Sequence, residues 1–120
     1  MKIPCEIVVW NVLPMIRREL SRELVFVHGM SQAEVARMFG VTDAAISQYL
    51  KKKRGSMPEV ESLPLYSEFL GEVSASAESI SSRKSDFYSE MCRLCCHVKS
   101  SGLMAIIYKN QTGTYPTPCN

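Results

Sequence analysis

Residues 31–55 contain the feature that most constrains the fold, namely two short helices separated by one tight turn. Ser31, followed three positions later by Glu34, forms a capping-box signature that marks the start of the first helix. Gly40 ends that helix, because so tight a turn needs a residue that tolerates a positive φ. Thr42 then caps a second helix. Two helices joined this closely must cross steeply, which is the helix-turn-helix arrangement.

The inner faces of these two helices are apolar. Ala36 and Ala45 are small enough to let the helices approach each other. The sequence therefore predicts a compact bihelical unit, with an ordinary helical hairpin that binds nothing as the alternative. The inward residues are Val35, Ala36 and Phe39 in the first helix, Val41 in the turn, and Ala45, Ile46, Tyr49 and Leu50 in the second.

The outer face of the second helix carries short side chains that can enter a major groove, and a basic run that can neutralise phosphates follows it. Between residues 31 and 55, five basic residues accompany two acidic ones, whereas the net charge of the whole chain is only +2. The positive charge is thus local, as a DNA-reading surface requires. The outward residues are Asp43, Ala44, Ser47 and Gln48, and the basic run is Lys51, Lys52, Lys53 and Arg54.

The spacing Ala36-x3-Gly40-x5-Ile46, with apolar residues at 35, 39 and 41, resembles the Xre-like repressor/Cro family. The resemblance implies binding of double-stranded DNA. Gln48 is the best single candidate for base reading, since glutamine can bind adenine bidentately. Asp43 would repel phosphate unless it meets a cytosine amine or caps the helix. If the unit binds DNA, the predicted phosphate contacts are Gln32, Thr42, Lys51, Lys52, Lys53 and Arg54, and the predicted base contacts are Asp43, Ala44, Ser47 and Gln48. Ser31 is a further predicted DNA-binding residue.

The sequence predicts a mainly all-α fold, in which residues 1–55 form the DNA-binding domain. Residues 4–28 are predicted to be helical, and Pro14 restarts the helix near Val12 or Leu13 because proline lacks an N–H. One face of this helix packs under the helix-turn-helix. That inner face is Ile16, Leu20 and Leu24, and the outward residues are Arg17, Arg18, Glu19 and Arg22.

Residues 56–120 are predicted to be a helical dimerisation and cysteine-rich segment. Two prolines and a glycine in residues 55–64 indicate a hinge. An amphipathic helix follows over residues 65–80, and another, capped by Ser85 or Asp86, over 86–101. The apolar run 103–108 has the length of a strand or of a buried helix, and the rest of the tail is irregular.

Five cysteines in 120 residues need an explanation, because a reducing compartment disfavours a disulfide framework. Cys92 shares a helical face with both Cys95 and Cys96. Cys5 and Cys119 lie near the two ends of the chain, each directly after a proline. The favoured interpretation is a four-thiolate site of Cys5, Cys92, Cys95 and Cys119, with Cys96 as the alternative ligand.

Four thiolates suit a [4Fe–4S] cluster or zinc. Zinc sites commonly use two paired Cys-x2-Cys motifs, and this chain has one, so the cluster is favoured. Cysteines buried in the core and a redox disulfide are the alternatives. Residues 1–55 and the segment Cys92-Arg-Leu-Cys95, followed by Ser-Ser-Gly-Leu, also resemble a group of archaeal transcriptional regulators with a cysteine-rich second half.

Together these features predict a DNA-binding transcriptional regulator that forms a homodimer on a palindromic site. A cluster would sense redox state or iron. An enzyme is not expected, because the sequence shows neither a Ser/His/Asp order nor a phosphate-binding glycine loop, and no small-molecule substrate is predicted. A repressor with structural zinc or no metal is the alternative, as is an antitoxin-like partner protein.

A cytoplasmic location without membrane contact is also predicted. No apolar run reaches the roughly 18–20 residues that span a bilayer. The first residues lack the pattern of a signal peptide.

Overall fold

The computed structural model describes residues 4–51 and 55–115. Within those ranges every regular element is helical, which confirms the predicted all-α fold. The elements are α1 (Pro4–Ile7), a first π-helical segment (Val8–Val12), α2 (Leu13–Arg22), a second π-helical segment (Glu23–Val27), α3 (Gln32–Phe39), α4 (Asp43–Leu50), α5 (Pro58–Glu61), α6 (Pro64–Ser81), α7 (Phe87–Ser100) and α8 (Leu103–Thr112).

Pro14 acts as a restart point inside the first helical stretch. The N–H of Leu13 bonds to the carbonyl of Val8, five residues back, which closes the first π-helical segment. Regular α2 begins at Leu13 with Pro14 in its first turn, and the wider π-helical turn before it accommodates a residue that lacks an N–H. The predicted change near Val12 or Leu13 is therefore confirmed, and its form is a π-helical turn.

The predicted helices of the second half are also confirmed. The helix expected over 65–80 is α6, and the helix expected over 86–101 is α7. Asp86 caps α7 by accepting the N–H of Ser89 at 2.8 Å. The apolar run 103–108 belongs to α8, so of the two predicted alternatives the helix is confirmed and the strand is wrong. The predicted hinge contains the short helix α5.

One continuous hydrophobic core joins the two predicted segments. Leu20 of α2, Phe69 of α6, Leu94 of α7 and Ile107 of α8 are all fully buried in it. The rings of Phe39 and Phe87 stack with their centroids 4.5 Å apart and so connect α3 to the start of α7. The division of the chain at residue 55 stays a prediction.

Two charged residues of α2 are buried, so the prediction that they point outward is wrong. Arg18 and Glu19 are only 2% and 8% exposed. Nη1 of Arg18 lies 3.3 Å from Oε2 of Glu61, and the hydroxyl of Tyr66 donates to Oε2 of Glu19 at 2.7 Å. Helices α5 and α6 cover this side of α2, which the periodicity of α2 alone had assigned to solvent.

Arg17 and Arg22 remain partly exposed, as expected. Among the described helices, none has the length and apolarity needed to cross a membrane.

Candidate nucleic-acid interface

Helix α3 begins with the predicted capping box. Oγ of Ser31 accepts the backbone N–H of Glu34 at 3.1 Å, and Oε1 of Glu34 accepts the backbone N–H of Ser31 at 3.4 Å. Two N–H groups that have no intrahelical partner are thereby satisfied within four residues of chain. The start of α3 is therefore determined locally.

The turn between α3 and α4 depends on the backbone conformation of one glycine. Gly40 has φ +68° and ψ 33°, the left-handed conformation that side-chain-bearing residues rarely adopt. The N–H of Val41 bonds to the carbonyl of Ala36 at 3.0 Å and completes the turn. Apart from Gly40 itself and its neighbours in the chain, no atom of the described residues lies within 4 Å of the position a Cβ would take there, so backbone conformation rather than space requires glycine.

Helix α4 is capped and packed as predicted. Oγ1 of Thr42 accepts the N–H of Ala45 at 3.1 Å. Ala45, Ile46 and Tyr49 are buried, and Leu50 is half-buried. The inner face of α4 packs against α3 and against α2, and α3 also contacts the second π-helical segment. The outer face of α4 is left available for a ligand.

The predicted DNA-binding residues that the structure describes lie at or near the surface. Ser47 and Gln48 are half-buried, and within the described ranges their side chains form no hydrogen bond, so their polar groups are available. Asp43 lies in the first turn of α4, where a carboxylate interacts favourably with the positive end of the helix dipole. The exposed site residues are Ser31, Gln32, Thr42, Asp43, Ala44 and Lys51, whereas Lys52, Lys53 and Arg54 lie outside the described residues.

The residues on both sides of 52–54 lie against α2. On one side, Nη1 of Arg22 donates to the carbonyl of Leu50 at 3.1 Å. On the other side, Gly55 has φ +74°, and a Cβ there would lie 2.4 Å from the carbonyl oxygen of Pro14. Neither of these two contacts was predicted from the sequence. Gly55, directly after the basic run, was the one sequence feature that could have indicated the close approach to Pro14.

Residues 28–76 match the helix-turn-helix family. The match runs from the turn before α3 through most of α6. It supports a DNA-binding transcriptional regulator and is consistent with a protein that is not an enzyme. No curated protein and no solved structure matches this chain. In a helix-turn-helix the second helix enters the major groove, and α4 is therefore called the recognition helix below.

The cysteines of α7 lie away from the center of the core. Cys92 and Cys96 are exposed, so the alternative that both pack in the core is wrong, while Cys95 is half-buried. Burial raises the pKa of the Cys95 thiol; Lys99 opposes this shift, and the nearby thiols of Cys96 and Cys92 add to it.

The described residues do not by themselves assemble the predicted four-thiolate site. Among them, no group of three or more His, Cys, Asp or Glu side chains is placed to hold a metal ion. Cys5 is exposed in α1, and Cys119 lies outside the described residues. The four-thiolate site therefore stays a prediction, and one of its proposed ligands, Cys119, lies outside the described residues.

Proposed function

We propose that this protein is a transcriptional regulator that binds double-stranded DNA by placing its recognition helix in the major groove. The observation that carries the proposal is the geometry of the helix-turn-helix unit. Its two caps and its left-handed glycine match what this motif requires, and the outer face of the recognition helix stays accessible. The family match over residues 28–76 supports the same function.

The proposed contacts divide between base reading and backbone binding. Ser47 and Gln48 read base edges, together with the small Ala44, which lets the helix approach the bases. Gln32 and Thr42, at the exposed starts of the two helices, contact phosphates. The hydroxyl of Ser31 is hydrogen-bonded to Glu34, so Ser31 would contribute to DNA binding indirectly, by fixing the start of α3. Lys51, Lys52, Lys53 and Arg54 neutralise phosphates, and Asp43 stabilises its own helix.

The first experiment selects duplexes from a random pool with the full-length chain and measures affinity by fluorescence anisotropy at several salt concentrations. We expect preferred sequences to emerge, with an affinity that falls as salt rises. Gln48→Ala should lose preference at one base pair of each half-site. Gln111→Ala is the matched control, because Gln111 is exposed on the distant helix α8.

Two results would count against this proposal in different ways. If the chain bound no duplex at any salt concentration, DNA binding itself would be refuted. If Gln48→Ala weakened binding equally on every sequence, the base-reading role of Gln48 would be wrong.

We also propose that the protein acts as a homodimer. Phe26 and Val27, at the end of the second π-helical segment, are 63% and 66% exposed, and Leu70 of α6 is 39% exposed. These three side chains line one cleft of about 390 Å³. Exposed apolar side chains grouped in this way are typical of a protein–protein interface. Arg22 and Glu23 also line it, and across a two-fold axis each can face its opposite charge on the second copy.

The mass of the protein in solution tests the dimer. Sedimentation equilibrium of the wild-type chain should give twice the mass of one chain. Val27→Glu should give a single-chain mass with an unchanged circular dichroism spectrum, because Val27 is exposed. Tyr88→Glu changes another exposed residue and should leave the dimer intact. A wild-type protein that stays monomeric at every concentration would contradict the proposal.

A cysteine-ligated [4Fe–4S] cluster that senses redox state or iron is a further proposal, with zinc as the alternative. Its support is the accessibility of Cys5, Cys92 and Cys96. The greater exposure of Cys96 favours it over the half-buried Cys95 as the ligand next to Cys92. The cluster would supply a redox-sensitive group that joins distant parts of the chain.

Iron, sulfide and zinc analysis of protein purified without oxygen tests this proposal. Cys96→Ser should lose more bound metal than Cys95→Ser if Cys96 is the ligand. A metal-free wild-type protein would refute both the cluster and zinc. In that case, the helix-turn-helix regulator without a metal would remain.

A further inference from the structure

A second cleft connects the start of α2 with the end of the recognition helix. Its volume is about 550 Å³. It brings together residues that are far apart in the sequence, from the first π-helical segment, α2, α4 and the chain after the basic run. The lining residues are Val9, Trp10, Pro14, Arg17, Tyr49 and Gly55.

The lining of this cleft combines one cation with exposed apolar surface. Arg17 is its only charged residue, and Nε of Arg17 is buried with no hydrogen-bond partner in the described part of the chain. Trp10 is 70% exposed and Val9 is 54% exposed. A large aromatic side chain this exposed, in the same cleft as a partly exposed arginine, is typical of a binding surface. The guanidinium of Arg17 favours an anionic partner, and no carboxylate stands beside it among the described lining residues.

The position of the cleft indicates which anion would occupy it. Tyr49 belongs to the last turn of the recognition helix, and Gly55 directly follows the basic run 51–54. Gly55 approaches the Pro14 carbonyl closely, so the chain after the basic run lies against α2. The cleft therefore lies beside the end of the recognition helix, and the chain that follows the basic run borders it.

We infer that this cleft binds the sugar–phosphate backbone of the same duplex. The Arg17 guanidinium would pair with a phosphate, for which its planar fork of donors is well suited. The Trp10 indole would pack on the adjoining sugar. The inference rests on the proposed function and extends the DNA interface from the helix-turn-helix to the helix that supports it.

The fluorescence of Trp10 offers a direct test, because it is the only tryptophan in the chain. A selected duplex is added to the full-length protein while Trp10 emission and the anisotropy of a labelled duplex are followed. We expect Trp10 emission to change with the same midpoint as the anisotropy. Trp10→Ala should weaken binding to every duplex by a similar factor, and its high exposure makes the fold tolerant of this change.

The salt dependence of binding tests Arg17 separately. Arg17→Gln should lower the slope of log K against log salt by about 0.9, the value for one phosphate contact. Lys99→Gln removes the same charge from an exposed position on α7 and should leave the slope unchanged.

Normal DNA binding with an unchanged Trp10 signal and an unchanged Arg17→Gln slope would overturn the inference and leave the proposed function intact. A wild-type protein that bound no duplex would overturn both.

Discussion

The guanidinium of Arg22 donates a hydrogen bond of 3.1 Å to the carbonyl oxygen of Leu50, at the end of the recognition helix. The last carbonyls of a helix have no intrahelical donor, so this bond satisfies one of them and fixes the helix to its support. The same guanidinium lies 5.5 Å from the ring centroid of Phe26. One side chain of α2 therefore connects the proposed dimer surface with the recognition helix.

Arg22→Ala should lower the free energy of unfolding by about 1 kcal/mol, because it removes a charge-assisted hydrogen bond from a partly exposed site. It should also weaken DNA binding by freeing the end of the recognition helix. Urea unfolding and fluorescence anisotropy measure the two effects. Arg83→Ala, at an exposed position between α6 and α7, is the control. An unchanged stability would show that the bond to Leu50 contributes nothing.

Gly55→Ala should destabilise the protein more than Gly40→Ala does. Both glycines have a positive φ near 70°, so alanine carries a similar backbone strain of about 1–2 kcal/mol at each. At Gly55 the new Cβ would also meet the Pro14 carbonyl at 2.4 Å, whereas the space beside Gly40 is open. The comparison of the two variants by urea unfolding isolates the steric contribution. Equal losses would contradict the close approach to α2.

Tyr66→Phe should lower the free energy of unfolding by about 1–3 kcal/mol, since the buried carboxylate of Glu19 loses a hydrogen-bond donor. Burial, and next the charge of Glu19, raise the pKa of Tyr66 far above its usual range, so its hydroxyl stays a donor at neutral pH. Tyr88→Phe is the matched control, because Tyr88 is 74% exposed. Similar stabilities of both variants would contradict this role for Tyr66.

Part of the protein's acid sensitivity should come from Asp86. Hydrogen bonds from the backbone N–H and then the hydroxyl of Ser89 lower the pKa of this carboxyl. Because the folded state favours the charged form, the contribution is present above the ordinary pKa near 3.9 and is lost as pH falls through the lowered value.

Asp86→Asn tests this contribution, because asparagine still caps a helix but does not ionise in this range. Urea unfolding between about pH 5 and pH 3 should show a shallower loss of stability for the variant than for the wild-type protein. Glu59→Gln, at an exposed position in α5, serves as the control carboxyl. Identical pH profiles of Asp86→Asn and wild type would refute the role of Asp86.

The helix-turn-helix could be predicted from the sequence because its decisive interactions are local. The partners Ser31 and Glu34 are three residues apart, as are Thr42 and Ala45. The conformation of Gly40 depends on its missing side chain, a property of the residue itself. The apolar spacing within each helix then selected the inner faces. These features required no knowledge of what packs on the unit.

The sequence alone determined the helices, their caps and the outer face of the recognition helix, since each depends on groups within about four residues. Only the tertiary structure decided that Arg18 and Glu19 are buried, that Gly55 lies against Pro14, and that Trp10 and Arg17 share a cleft with the recognition helix. Helical periodicity identifies an apolar face but not which neighbour covers the polar one. The packing of α5 and α6 on α2 buries charged groups that the same pattern would place in solvent elsewhere.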